Sequence, residues 1–279
     1  MMPGLADAYG GTLLGLSEVA ERYDCVLLDV WGVLIDGART FPAATSCLAR
    51  LADNRVPTIL VSNTSRRGSD LQQMLAGIGL EPDSYTAAIT AGDAAFEIVA
   101  ERHPVLSGAR RCVVVGEQPG GHWAEEAGAV VTDDPMQADF VLALGILPCG
   151  WHNDRTGVMV ERALQQGLPF LVSNPDRRVM VDGVLHDCVG LLTDLLRPLG
   201  GRVIETGKPH SPIFKQALAT AARLGPAAQR PLMIGDSLET DIRGATQIGI
   251  DSLLIRAGGS GCMREFMYLP TWTMGALKW

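Results

Sequence analysis

Cys25-Val26-Leu27-Leu28-Asp29-Val30-Trp31-Gly32-Val33-Leu34 is the stretch from which the fold is read. An apolar run leads into an acid, and apolar residues resume behind it. Such a run, closed by turn residues, predicts a strand buried on both faces, as in a parallel sheet covered by helices. An ionised carboxylate at the end of that strand is costly unless something pairs with it. The carboxyl edge of a parallel sheet is also where open α/β folds bind ligands. Asp29 is therefore a candidate for chemistry, weighed against a turn or helix-capping Asp at a strand exit.

The flanking sequence repeats the pattern. Pro42 to Asn54 carries Ala43, Ala44, Cys47, Leu48 and Leu51 on one stripe, with Pro near its start, and predicts a helix. Pro57–Asn63 reads as a second buried strand and Ser65 to Ile78 as a second helix. This β-α-β-α order implies parallel strands with right-handed crossovers. Past Leu80 the alternation continues with its own strands, Cys112–Gly116, Phe140–Gly145 and Pro169–Asn174. Ala91–Arg102, Gly121–Gly128, Arg155–Gln166 and Val189–Leu199 read as the helices between them. Arg202–Glu205, Leu232–Gly235 and Ser252–Ile255 supply three more strands, separated by helices Ser211–Leu224 and Leu238–Ile248.

Composition narrows the class. A chain of 279 residues holds one large domain or two ordinary ones. With 47% hydrophobic and 19% charged residues, it is expected to fold and not to be disordered. A net charge of −8 argues against a nucleic-acid partner, which needs a basic surface. The six cysteines form no CxxC pair, which excludes the usual zinc spacings and suits a reducing cytosol. The N-terminus lacks the regions of a signal peptide, and Phe140 to Cys149 is too short to cross a bilayer. The expectation is a cytoplasmic protein without a membrane partner.

Three further places carry candidate chemistry. Ser62-Asn63-Thr64 puts hydroxyl and amide groups at a strand exit before a helix, where they can meet an anion or simply cap. Gly207-Lys208-Pro209 holds one of only three Lys among 23 basic residues, on a stiff turn. Ile234-Gly235-Asp236-Ser237 delivers Asp236 to a strand exit, and Asp241 follows about one helical turn later. Asp29, Asp236 and Asp241 at one point would repel unless a cation sits among them. An oxygen-only set of this kind suits Mg²⁺.

In this order the four motifs resemble the haloacid dehalogenase (HAD) superfamily of aspartyl phosphatases. Gly32 to Gly37 (GVLIDG), Ser62 to Arg66 (SNTSR) and Ser173 to Asp176 (SNPD) look like its class IIA, NagD-like and pyridoxal phosphate phosphatase-like group. The resemblance implies an α/β fold: a Rossmann-like parallel-sheet core with an inserted α/β type 2 cap. Its boundaries would be 1–88 for the first part of the core, 89–200 for the cap and 201–279 for the second part. Asp29 would be the nucleophile. Ser62, Asn63 and Lys208 would hold the phosphate, with Lys208 also neutralising Asp29. Asp29, Asp236, Asp241 and the backbone carbonyl of Trp31 would hold Mg²⁺. Asn174 and Asp176 would be cap contacts to a small phosphorylated metabolite.

One position departs from the family pattern. Where those phosphatases have a second Asp, the general acid and base, this chain has Trp31. An indole donates one hydrogen bond but exchanges no proton near neutral pH, and acid–base catalysis is worth about 10²–10⁴ in rate. Three readings follow, ranked in this order. The first is a phosphatase, slow or with a substitute acid, for which Asp36 is the candidate. The second is a phosphate-binding or regulatory protein without turnover. The third is a carbon–halogen hydrolase, disfavoured because Asp236 and Asp241 are kept. Arg177 and Arg178 read as a solvated face or an anion contact, and His210 as a loop residue. Trp272 and Trp279 read as core packing or as a homodimer patch.

Overall fold

The computed structural model describes residues 11–37, 39–106, 108–118, 121–181, 184–224, 228–256 and 268–279. The first ten residues and Cys262 lie outside the described residues. In chain order the elements begin with β1 (Cys25–Leu28), α1 (Pro42–Asp53), β2 (Thr58–Ser62), α2 (Gly68–Gly77), β3 (Ala87–Thr90) and α3 (Ala91–Ala100). Next come β4 (Arg111–Val115), β5 (Val130–Val131), β6 (Phe140–Ala143), α4 (Arg155–Gln165) and β7 (Phe170–Val172). They are followed by β8 (Arg178–Val181), β9 (Val184–Asp187), α5 (Leu191–Leu196) and β10 (Val203–Glu205). The chain ends with α6 (Ser211–Leu224), β11 (Pro231–Gly235), α7 (Arg243–Ile248), β12 (Asp251–Ile255) and β13 (Trp272–Met274).

The chain divides into two compact units. The first comprises residues 1–62, 69–89 and 208–279; the second comprises residues 63–68 and 90–207. The first holds a six-stranded sheet in the order β13-β12-β11-β1-β2-β3. Its strands β2, β1, β11, β12 and β13 pair in parallel, as the crossover helices require. β1 is buried along its whole length, the outcome expected of Cys25-Val26-Leu27-Leu28. α1 starts on Pro42 and buries Ala44, Cys47, Leu48 and Leu51, whereas Ala43, expected on that stripe, is exposed. Trp272 and Trp279 pack partly buried against this first core, the packing alternative of their two readings.

The second unit holds a separate parallel sheet, β10-β7-β6-β4-β5, and an antiparallel hairpin of β8 and β9. Val203–Glu205 pairs with Phe170–Val172 of this sheet. Residues 201–207, expected in the core, therefore belong to the second unit. The sequence pattern of an apolar strand is the same in either sheet, so periodicity does not distinguish them. Gly121–Gly128, expected as a helix, forms only turns. Its single i→i+4 bond, from the Ala127 N–H to the Trp123 carbonyl, is cut off at Gly128, which takes φ +79. Trp123 is buried there, with its indole N–H donating to the Ser65 carbonyl at 2.9 Å.

Candidate functional site

Strand register brings the acids of the first unit together. Leu28 lies opposite Ile234, and the Asp29 N–H donates to the Ile234 carbonyl at 2.9 Å, so β1 and β11 leave the sheet side by side. Asp29 follows β1, and Asp236 follows β11. Ser237 then opens a single π-helical turn, Leu238–Ile242, and its backbone N–H donates to Asp241 Oδ2 at 3.1 Å. Asp29, Asp236 and Asp241 each offer a carboxylate oxygen, all within 4.8 Å of one another. No other group of three His, Cys, Asp or Glu side chains among the described residues meets that condition.

Two glycines make this convergence possible. A Cβ on Gly235 would stand 2.2 Å from the Asp241 carboxyl carbon, so Asp241 needs bare backbone beneath it. Gly32 takes φ +79, and a Cβ there would meet Asp236 Oδ2 at 2.0 Å. Both glycines sit inside quoted motifs, yet the sequence reading weighed only the charged residues beside them.

Lys208 joins the cluster from the turn ahead of α6. Its Nζ lies 2.6 Å from Asp29 Oδ1 and 2.8 Å from Asp241 Oδ1, and its side chain is 2% exposed. Burial disfavours its charged form, but Asp241 and Asp29 outweigh that and hold its pKa above the usual lysine value. Burial pushes the Asp29 carboxyl up, to about 8, against the pull of Lys208; Asp241 and Asp236 add to the rise. One ammonium thus pairs with two carboxylates of the group of three. The donor set is all oxygen and carries an excess of negative charge, which fits a hard divalent cation.

Other expected residues fall as follows. Ser62 is buried at the end of β2. Trp31 is partly buried and packs against the first core, in a tight loop where the Gly32 N–H donates to the Ile35 carbonyl. Asp36 is exposed on the turn that follows and lies outside the carboxylate group. In the second unit, Asn63 Nδ2 donates to Asp176 Oδ1 at 2.8 Å, and the Asp176 N–H donates to Asn174 Oδ1 at 2.9 Å. Arg177 forms a bidentate pair with Asp194, and Arg178 pairs with Asp187. These arginines are therefore engaged in pairs on the second unit. The bond between Asn63 and Asp176 joins two quoted motifs that the sequence reading treated separately.

Comparison with known proteins follows the same lines. Residues 26–130 match a family model described as haloacid dehalogenase-like hydrolase, and residues 205–270 match a second HAD-hydrolase-like model. The ribonucleotide monophosphatase NagD of Escherichia coli (strain K12) is 27% identical over 256 residues, covering 88% of this chain and 94% of that protein. The 5'-nucleotidase YutF of Bacillus subtilis (strain 168) is 27% identical over 240 residues, covering 85% and 89%. The crystal structure of a haloacid dehalogenase-like hydrolase from Brucella suis 1330 superposes with a TM-score of 0.78 at 29% identity, covering 94% and 98%. Among the described residues no helix is long and apolar enough to cross a membrane.

Proposed function

The chain belongs to the haloacid dehalogenase-like hydrolases, in the class that holds NagD, and from that premise we propose that it hydrolyses small phosphomonoesters with Mg²⁺. The observation that carries the reading is the cluster of Asp29, Asp236, Asp241 and Lys208 at one sheet edge. Asp29, Asp236 and the Trp31 carbonyl would hold the ion, and Asp241 would support it. Bound there, Mg²⁺ supplies the positive charge that lets an anionic carboxylate approach an anionic phosphate.

Asp29 is the nucleophile. Its carboxylate oxygen bonds to phosphorus as the bond from phosphorus to the leaving oxygen breaks, which makes an aspartyl-phosphate on Asp29. Lys208 and Ser62, with Asn63 beside it, hold the phosphoryl oxygens. Water then attacks phosphorus, returning the Asp29 carboxylate and inorganic phosphate. Trp31 can neither protonate the leaving oxygen nor activate that water. Turnover is consequently slow and favours acidic leaving groups, such as aryl or acyl phosphates. The inserted residues, 90–207, act as the cap that restricts substrates to small metabolites.

Two measurements test the proposal. Calorimetry with Mg²⁺ is expected to show binding to wild type that Asp236→Ala loses. Phosphate release from an aryl phosphate is expected to require Mg²⁺ and to fall at least about 10⁴-fold in Asp29→Asn. Equal Mg²⁺ binding by both proteins overturns the metal assignment. A wild type that binds phosphate but never turns over, with Asp29→Asn binding it equally, makes the protein a phosphate-binding module instead.

A further inference from the structure

The second unit contains a network that ends on Asn63, the residue joined by a peptide bond to Ser62. Asn63 is 7% exposed, and the nitrogen end of its carboxamide is tied to Asp176. Its Nδ2 donates to Asp176 Oδ1 at 2.8 Å. Its Oδ1 rests against Gly207, where a Cβ would come within 2.6 Å of it and within 2.5 Å of Pro175 Cδ. Gly207 is in turn bonded to Lys208. The turn bearing Asp176 is itself fixed. Asn174 Oδ1 accepts from the Asp176 N–H at 2.9 Å, and Arg177 Nη1 donates to the Pro175 carbonyl at 2.6 Å. Arg177 is tied to Asp194 and reaches Glu205, whose carboxylate also takes Arg197 and Thr193. A buried carboxylate paired this fully marks a rigid support.

We propose that Asp176 is a positioning residue for phosphate. It fixes the rotation of the Asn63 carboxamide and, through the adjoining peptide bond, the placement of Ser62. The proposal rests on the reading of Ser62, Asn63 and Lys208 as the phosphate ligands, and it gives Asp176 a role that needs no contact with substrate. It predicts a split between ligands. Phosphate depends on Ser62 and Asn63, whereas Mg²⁺ depends on Asp29 and Asp236, which lie on other strand exits.

The test is calorimetry of the full chain with inorganic phosphate at saturating Mg²⁺, and with Mg²⁺ alone. Asp176→Ala removes the acceptor; Asp176→Asn keeps an oxygen that can accept from Asn63. Asp176→Ala is expected to weaken phosphate about tenfold, the scale of one charge-assisted hydrogen bond, and to leave Mg²⁺ affinity unchanged. Asp176→Asn is expected to recover most of the loss. In an Asn63→Ala background, Asp176→Ala is expected to add nothing, since the two act as one unit. Phosphate affinity within twofold of wild type in Asp176→Ala overturns the proposal. So does an equal loss of phosphate and Mg²⁺, which would mark a general structural role. If wild type with Mg²⁺ bound binds no phosphate at all, the phosphate-site reading falls and this proposal falls with it.

Discussion

The two parallel sheets end differently. In the first unit, β1 and β11 end beside Asp29 and Asp236, and Lys208 and Asp241 complete a charged cluster in which Asp236 is the exposed member. In the second unit, the exits of β6 and β7 are neutral and mutually satisfied. Ser65 Oγ accepts from the Gly145 N–H at 2.8 Å and meets Ser173 Oγ at 2.5 Å. Two buried carboxylates of this unit, Glu205 in β10 and Asp93 in α3, are matched, the first by Arg197 and Thr193 and the second by Arg67 and the Thr90 hydroxyl. Both sheets use the same βα alternation and the same apolar strands. Only the first gathers three carboxylates and a lysine at its strand exits among the described residues, and such clusters mark places where a ligand is bound. A fold made twice in one chain therefore separates packing from chemistry.

The strongest way to sharpen this contrast is to give the charged exit the acid that the family pattern has in place of Trp31. Trp31→Asp is expected to raise turnover on alkyl phosphates by about 10²–10⁴. The gain is smaller if the cavity left by the indole loosens the loop. Wild type is expected to accumulate phosphorylated Asp29, which acid quenching and mass spectrometry would trap. Fast wild-type turnover of alkyl phosphates would break the argument and point to another acid. Asp36→Asn is the variant that would then be measured.

The next largest effect concerns the counter-charge. Lys208→Met leaves Asp29 and Asp241 without their buried ammonium and is expected to cost about 3–5 kcal/mol in chelator. Mg²⁺ is expected to restore part of that loss, which urea unfolding with and without the ion would show.

A third effect follows from the raised Asp29 carboxyl. Its unfolded value is near 4, and burial lifts the folded value to about 8. A raised carboxyl favours the folded state when protonated. That contribution is complete at low pH and is lost as pH rises through the folded value. In chelator, the melting temperature is expected to fall between about pH 4 and 8 from this group. With Mg²⁺ the slope should flatten, because a bound dication stabilises the ionised form. An identical slope with and without Mg²⁺ would place the ion elsewhere. The smallest effect belongs to the neutral exit. Ser173→Ala is expected to cost about 1 kcal/mol whether or not Mg²⁺ is present.

Much of this was legible because charge stands out against apolar strands. Asp29, Asp236 and Asp241 stand out by type and spacing, the role of Lys208 comes from the family resemblance, and the structure brings all four together. Gly32 and Gly235 drew no reading of their own, since a side chain that must be absent leaves no signal. The assignment of Val203–Glu205 to a sheet depends on its partner Phe170–Val172, and pairing is non-local. The hairpin of β8 and β9 went unseen because most of its residues are exposed and show no buried face. Asn63 and Asp176 were each singled out, but the bond between them spans two motifs far apart in the chain.

The sheet order has a consequence for biosynthesis. β1 lies between β2 and β11, so Cys25 to Leu28 have one neighbour early and wait for Pro231 to Ile234 to gain the other. The second unit, ending at residue 207, is complete before the first. During synthesis an apolar strand edge therefore stays open while the whole insert emerges and folds, a state in which pairing with a foreign strand competes with the native one. The insert can mature on the ribosome; the strand that leads into Asp29 waits for its second neighbour.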